Sequence, residues 1–326
     1  MKEKKFVFIV LFVFMCSVAA FAGGGGEQQQ QQYPTKPVQF IVPVGAGGDT
    51  DVNARILAKY LAKDLGQNVV VNNITGGSGA TGMKQVMDSP PDGHTVLFFH
   101  TEALLPKLTG MIDYDVFDLK MCGINLFSDT TVLATHKDTG FKTTNEFIAK
   151  AKAEPGKLQW AMSTGGYPHV IGIAVAQTLN LDLNIVDIGG NAAKTTALLG
   201  HKVEIMNTEY GLVQDYFGNG EFICLGLLSE NRNPMIPDIP TLKEQGYNLV
   251  FNKAFFTAMP ASTPDAIRDV FSAALEKTCK NPEYIEEMKK LFISVEYQAP
   301  ATATRTMKGV SDILNSYSQQ LKASIK

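Results

Sequence analysis

The chain has 326 residues, 45% of them hydrophobic, and a formal net charge of −3. No basic cluster stands out, which argues against nucleic acid as a partner. Beyond the N-terminal region no segment is apolar enough to span a membrane, and the remaining length suits two ordinary domains with a cleft between them.

The N-terminus reads as an export signal. Lys2, Lys4 and Lys5 precede a short apolar run from Phe6 to Met15, and Ala20-Phe21-Ala22 offers small residues at a cleavage site, so residues 1–22 are taken as a signal peptide. Cys16 supplies an alternative, lipidation just after the apolar run, although Met15 is a poor residue before such a cysteine. Both readings place the protein outside the cytoplasmic membrane, in the periplasm or lipid-anchored on that membrane's outer face. Residues 23–32, with Gly23 to Gly26 and Gln28 to Gln32, cannot bury apolar area and read as a flexible linker. Folded protein is expected from Tyr33.

Val38, Phe40 and Val42 alternate as in a strand, and Pro43, Gly45, Gly47 and Gly48 end it in a turn. Val52, Ile56, Leu57, Tyr60, Leu61 and Leu65 recur at helical spacing, with Asp49 or Thr50 as N-cap and Gly66 past the end. A strand from Asn68 to Val71, a glycine-rich loop, a short helix from Met83 and a strand from Thr95 to His100 follow. Thr143 and Glu146 make a capping box before Phe147 and Ile148. Leu158 to Met162 reads as a strand, His169 to Leu179 as a helix and Asn184 to Ile188 as a strand. A helix from Asn191 stops at Gly200, and Val203 to Met206 and Glu221 to Leu227 are again β-like. Thr263 and Pro264 open a helix carrying Ile267, Val270, Phe271, Ala274 and Leu275, and a last helix is expected over Thr302 to Ser324.

This alternation predicts an α/β fold in which mostly parallel sheets are flanked by helices. Two β-like segments, Thr130 to Ala134 and Phe255 to Met259, are suited to crossing between domains. If both cross, residues 33–129 plus 254–326 form domain 1 and residues 130–253 form domain 2.

Two loops share one construction, a strand end, small residues and a helix start: Pro43 to Asp51 and Ser163 to His169. Each directs unpaired N–H groups and the positive end of a helix dipole at one point, which suits a carboxylate or phosphate. The candidate ligand contacts are Gly45, Ala46, Gly47, Gly48, Asp49, Thr50 and Asp51 in the first loop, and Ser163, Thr164, Gly165, Gly166 and His169 in the second. His100, Thr101, Gly190 and Asn207 complete the set. Asp51 and Arg55 also fit a helical i, i+4 ion pair. Gly77-Ser78-Gly79-Ala80-Thr81-Gly82 matches a dinucleotide fingerprint with Glu102 downstream, but the glycines do not follow a strand directly and the next helix is short. No cofactor is expected. The five histidines, His94, His100, His136, His169 and His201, never fall at i, i+2 or i, i+4 spacing, so no metal site is expected either. Cys122, Cys224 and Cys279 form no C-x-x-C pair and read as small buried residues.

Tyr33-Pro34-Thr35-Lys36-Pro37-Val38, the run Pro43 to Val52, Ala54-Arg55, Gly76-Gly77-Ser78-Gly79 and Pro91-Asp92-Gly93-His94-Thr95 occur in an order that resembles the tripartite tricarboxylate transporter receptors, the Bug-type solute receptors. Pro155-Gly156-Lys157-Leu158, Ala197-Leu198-Leu199-Gly200, Pro237-Asp238-Ile239-Pro240-Thr241 and Pro260-Ala261-Ser262-Thr263-Pro264 extend the likeness over the whole mature chain. The resemblance implies a two-domain periplasmic-binding-protein fold, type II-like, that closes on a small carboxylate or amino acid as a hinged trap. It implies a monomeric binding protein rather than an enzyme, with one large and one small integral membrane subunit as partners. Asp49 departs from the glycine or proline usual there; it either caps the helix or pairs with an amino group of a zwitterionic ligand. Ile188-Gly189 replaces a usual aromatic and basic pair, and Tyr167 and Pro168 narrow the cleft. Two alternatives stay open: an exported α/β enzyme acting on a small acid, for which no G-x-S-x-G elbow is present, and a binding protein of another transporter or sensor class.

Overall fold

The computed structural model describes residues 33–325. The residues read as a signal peptide and linker, Cys16 among them, lie outside the described residues. In the described part the strands are β1 Val38–Val42, β2 Val69–Asn73, β3 Thr95–His100, β4 Leu119–Ser128, β5 Thr131–His136, β6 Gln159–Met162, β7 Asn184–Asp187, β8 Ile205–Glu209, β9 Phe222–Leu227, β10 Lys253–Pro260 and β11 Ser294–Gln298. The α-helices are α1 Asp49–Leu65, α2 Ala80–Met87, α3 Leu105–Leu108, α4 Thr144–Ala153, α5 Tyr167–Leu179, α6 Asn191–Leu199, α7 Tyr210–Gly218, α8 Asp265–Cys279, α9 Pro282–Lys289, α10 Pro300–Asn315 and α11 Ser318–Ile325.

These strands form two sheets, ordered β11-β4-β10-β3-β1-β2 and β7-β6-β8-β5-β9. The α/β architecture is the one the alternation predicts, but its pairing is mixed rather than mostly parallel. β1 pairs in parallel with β2 and β3, and β6 with β7 and β8, because helices carry the chain between them. β10 runs antiparallel to β3 and β4, and β5 antiparallel to β8 and β9. The antiparallel members sit where the chain passes between sheets: β4 of the first sheet is followed almost at once by β5 of the second, and β10 returns to the first.

Alternation in β1 buries Val38, Phe40 and Val42, and Phe40 stacks on Phe98 of β3 with centroids 5.8 Å apart. In the second sheet Trp160 is wholly buried and Gly172 of α5 lies against its ring, where an added Cβ would come within 3.0 Å of the indole nitrogen. The expected last helix is broken: α10 ends at Asn315 and α11 begins at Ser318. The break lets Tyr317 meet Phe251 and buries Leu321, and it lays α11 on α5 of the second sheet. Val203 is buried but lies before β8, so that strand runs later than its hydrophobic pattern suggests. Cys122 and Cys279 are buried and Cys224 is partly so, all as free thiols; burial pushes the Cys224 and Cys279 thiols up to about 12, which leaves them unreactive. No helix among the described residues is long and apolar enough to cross a membrane.

Candidate functional site

A cavity of about 300 Å³ lies between the two sheets, at the carboxyl ends of β1, β6 and β8. Its size lies at the lower end of the range of small-molecule pockets, about 300–1,000 Å³.

The first wall is the start of α1. Val44 ends the turn after β1, and Gly45, Ala46, Gly48, Asp49 and Thr50 line the cavity. Gly48, not Asp49 or Thr50, is the N-cap, in extended conformation and with no side-chain cap bond. Asp49 Oδ2 accepts from Lys253 Nζ of the same sheet at 2.6 Å, and its Oδ1 accepts from Asn191 Nδ2, beyond the second sheet's β7, at 3.4 Å. The amino group that Asp49 meets is the chain's own. Asp51 and Gly47 stand outside the lining: Asp51 pairs with Arg55 at 2.9 Å, as expected, and accepts the Gly47 amide at 2.9 Å.

The second expected wall, the start of α5, is largely closed by the protein itself. The amide of Thr164 donates to Asp187 Oδ2 at 3.3 Å, that of Gly165 to His169 Nδ1 at 3.1 Å, and that of Gly166 to Ser163 O at 3.0 Å. The Tyr167 amide donates to Glu102 Oε2 at 3.1 Å, so a carboxylate from beyond β3 already occupies this helix start. Gly166 permits the approach, since a Cβ there would stand 3.0 Å from Glu102 Oε1. Burial pushes the Glu102 carboxyl up to about 7, against the opposing pull of the Tyr167 amide. Ser163 and Tyr167 face the cavity, whereas Thr164, Gly165, Gly166 and His169 do not line it.

The start of α6 forms the wall instead. Gly190 caps it without a side-chain bond, and Gly190, Asn191, Ala192, Ala193 and Lys194 all line the cavity. The first amides of a helix have no intrahelical partner, so their donors and the dipole end address this space. Lys194, one turn in, is fully buried; its Nζ donates to Asn207 O at 2.7 Å and makes no ion pair among the described residues. Burial, together with the nearby Lys253 ammonium, lowers the Lys194 amine to about 7.

Lys253, at the start of β10, bridges the sheets with Asp49 on one side and Glu209, 2.6 Å away, on the other. Burial alone would disfavour its charge, but the two carboxylates outweigh this and hold the ammonium above the ordinary lysine range. Ser128, Thr130 and Thr131 donate to Glu209 at 2.7–2.8 Å, so the crossing segment between β4 and β5 is tied to the same carboxylate. Thr50, Asn207 and Thr208 line the cavity, and among the described residues their buried Oγ1, Oδ1 and Oγ1 atoms have no hydrogen-bond partner. His100 also lines it; burial first, then Lys253, drives its imidazole well below the usual range, so it is neutral. Thr101 is buried but lies off the lining.

Sequence reasoning missed Lys194, Lys253 and Glu209 and met Glu102 only inside the dinucleotide pattern. That pattern forms no such site: β2 ends at Asn73, and Gly77–Gly79 is a single 3-10 turn in which Ser78, at φ 52°, reaches Thr164 O at 3.3 Å.

Residues 53–322 match the tripartite tricarboxylate transporter family receptor. A Cupriavidus necator protein encoded in the gbd 5' region is 30% identical over 270 residues, covering 82% of this chain and 81% of that one. The solved periplasmic binding protein BugD superposes with a TM-score of 0.82 at 26% identity, covering 89% of this chain and 98% of its own. MatC from Rhodopseudomonas palustris, solved with bound malate, shares the fold with a TM-score of 0.74 at 20% identity over 90% of this chain and 100% of that one. The chain belongs to the tripartite tricarboxylate transporter receptor family.

Proposed function

We propose that the protein is an extracytoplasmic solute receptor that captures a small carboxylate in the interdomain cavity and hands it to one large and one small integral membrane subunit. It works as a monomer and performs no chemistry on its ligand. The two lobes are residues 33–129 plus 254–326 and residues 130–253, with α11 returning to rest on the second lobe. Export by the N-terminal signal puts this receptor on the outer side of the cytoplasmic membrane.

One observation carries the reading: the open start of α6 and the buried Lys194, which has no ion pair among the described residues, line the same small cavity. Asp49, Glu209 and Glu102 act on the buried Lys194 only at a distance, and a ligand carboxylate resting on the α6 amides supplies a direct partner. Charge-assisted hydrogen bonds contribute about 1.5–3 kcal/mol each, so three or four of them, less the cost of association, reach the roughly −8 kcal/mol of micromolar binding. Gly45, Ala46, Gly48 and Thr50 close the opposite side, and Asn207 and Thr208 offer hydrogen bonds to the ligand's remaining polar atoms. Asp49 already meets an ammonium, that of Lys253, which it shares with Glu209, so a ligand amino group is not required. A catalytic reading has less support: Ser163 Oγ is spent on Gly189 O at 2.5 Å and His100 Nδ1 on the Glu102 amide at 3.2 Å, which sets neither as nucleophile and base.

The test is a thermal-shift screen against mono-, di- and tricarboxylates, aspartate, glutamate and nicotinate, with malate tried first because a protein of this fold holds it. A ligand at a hundred times its Kd adds about 2.7 kcal/mol of stability. Silence across every acid would overturn the proposal.

A further inference from the structure

Two of the chain's five histidines, far apart in sequence, are brought together at the end of the second sheet away from the cavity. β5 sets Thr131 beside Glu209 at the cavity and His136 beside Phe222 at its other end, about 17 Å along the strand. There the rings of His136 and His201 meet edge to face, centroids 4.2 Å apart. One ligand atom from each of His136, Asp138 and His201 lies within 4.8 Å of the others.

The surroundings of His136 favour a ligand role. Its Nε2 is 3.4 Å from Glu221 Oε2, and the other Glu221 oxygen takes Lys137 Nζ at 2.7 Å. A carboxylate on that nitrogen draws the ring proton there and leaves the Nδ1 lone pair on the side of Asp138, whose Oδ2 is 3.6 Å away. The Asp138 backbone amide also approaches Nδ1, at 3.2 Å, a contact that a bound ion displaces. His136 is buried and fixed, while Asp138 and His201 are exposed and can close by about 1 Å to reach the roughly 2.0–2.1 Å bonds of a nitrogen and oxygen donor set. Calcium and magnesium take oxygen ligands, whereas two imidazoles and one carboxylate suit the zinc class.

We propose that His136, Asp138 and His201 form a surface site for a Zn²⁺-class dication, with Glu221 orienting the buried histidine. The site joins the turn after β5 to the turn after α6, so it ties down the far end of the helix whose start opens into the cavity. It does not depend on which solute the cavity takes.

Zinc chloride titrated into tag-free, chelator-treated protein by calorimetry, with no carboxylate present, tests it. Saturable binding at one ion per chain is expected, with no response to Mg²⁺. His201 has a φ of 53°, a conformation asparagine tolerates, so H201N keeps the backbone and should weaken Zn²⁺ binding at least about tenfold with an unchanged metal-free melting temperature. E221Q should weaken it about 10- to 100-fold while leaving the three ligands in place. Absence of saturable binding, or Zn²⁺ binding that H201N leaves intact, overturns the assignment.

Discussion

The starts of α5 and α6 are built alike and have opposite fates. Each follows a strand of the second sheet, each is capped by a glycine in extended conformation, and neither has a side-chain cap bond. At α5 the amides are consumed by Asp187, His169 and Glu102, and the dipole end already faces a carboxylate. At α6 the corresponding groups line the cavity beside an ammonium with no ion pair among the described residues. A strand, a glycine and a helix make a potential anion site; whether it is open depends on what distant side chains place in front of it. In this chain Asp187, His169 and Glu102 separate the two.

Four changes break or sharpen that contrast. Lys194→Met removes the charge at the open start and should cost about 10- to 150-fold in Kd, the equivalent of about 1.5–3 kcal/mol, by calorimetry with the best acid from the screen. Ala192→Asp gives α6 the internal carboxylate that α5 already has. It should weaken acid binding at least about tenfold while leaving unliganded stability unchanged or higher by about 0.3–1 kcal/mol, measured by denaturant unfolding.

Lowering the pH should tighten binding of an acid. Lys194 and Glu102 both titrate near 7, and as pH falls Lys194 gains a positive charge while Glu102 loses a negative one, so both changes favour an anion. About tenfold tighter binding at pH 6 than at pH 8 is expected, flattened in Lys194→Met. The smallest effect is that of Glu102→Ala, which frees the Tyr167 amide: dicarboxylates should gain about three- to tenfold relative to monocarboxylates, the worth of about one hydrogen bond.

The strand and helix periods made the α/β architecture legible because burial enforces them: β1 and α1 appear where the apolar spacing puts them. Cap and crossing details were less so. Asp49 sits at the place of an N-cap but lies one residue inside the helix, and its carboxylate accepts from Lys253 instead of from the first helix amides. The last helix breaks at Ser316 and Tyr317 although its apolar spacing continues, since Tyr317 finds Phe251 in another part of the chain. For the site, the glycine loops marked the helix starts, and Gly45, Ala46, Gly48, Asp49, Thr50, His100, Ser163, Gly190 and Asn207 do line one cavity. Lys194 and Lys253 carried no signal, since a lone lysine on an amphipathic helix or at a strand end ordinarily reaches solvent. Only the packing of α6 over Asn207, and of β10 between Asp49 and Glu209, buries them. His136 and His201 escaped notice for the same reason, being joined by folding and not by spacing.

The proposed seat of the ligand carboxylate is the α6 start and not the α5 start. A crystal structure of the protein with its tightest-binding acid tests it most directly. A carboxylate within hydrogen-bonding distance of Lys194 Nζ and the amides of Ala192 and Ala193 is expected, with Glu102 still on Tyr167. A carboxylate bound at Tyr167 with Glu102 swung aside would contradict it.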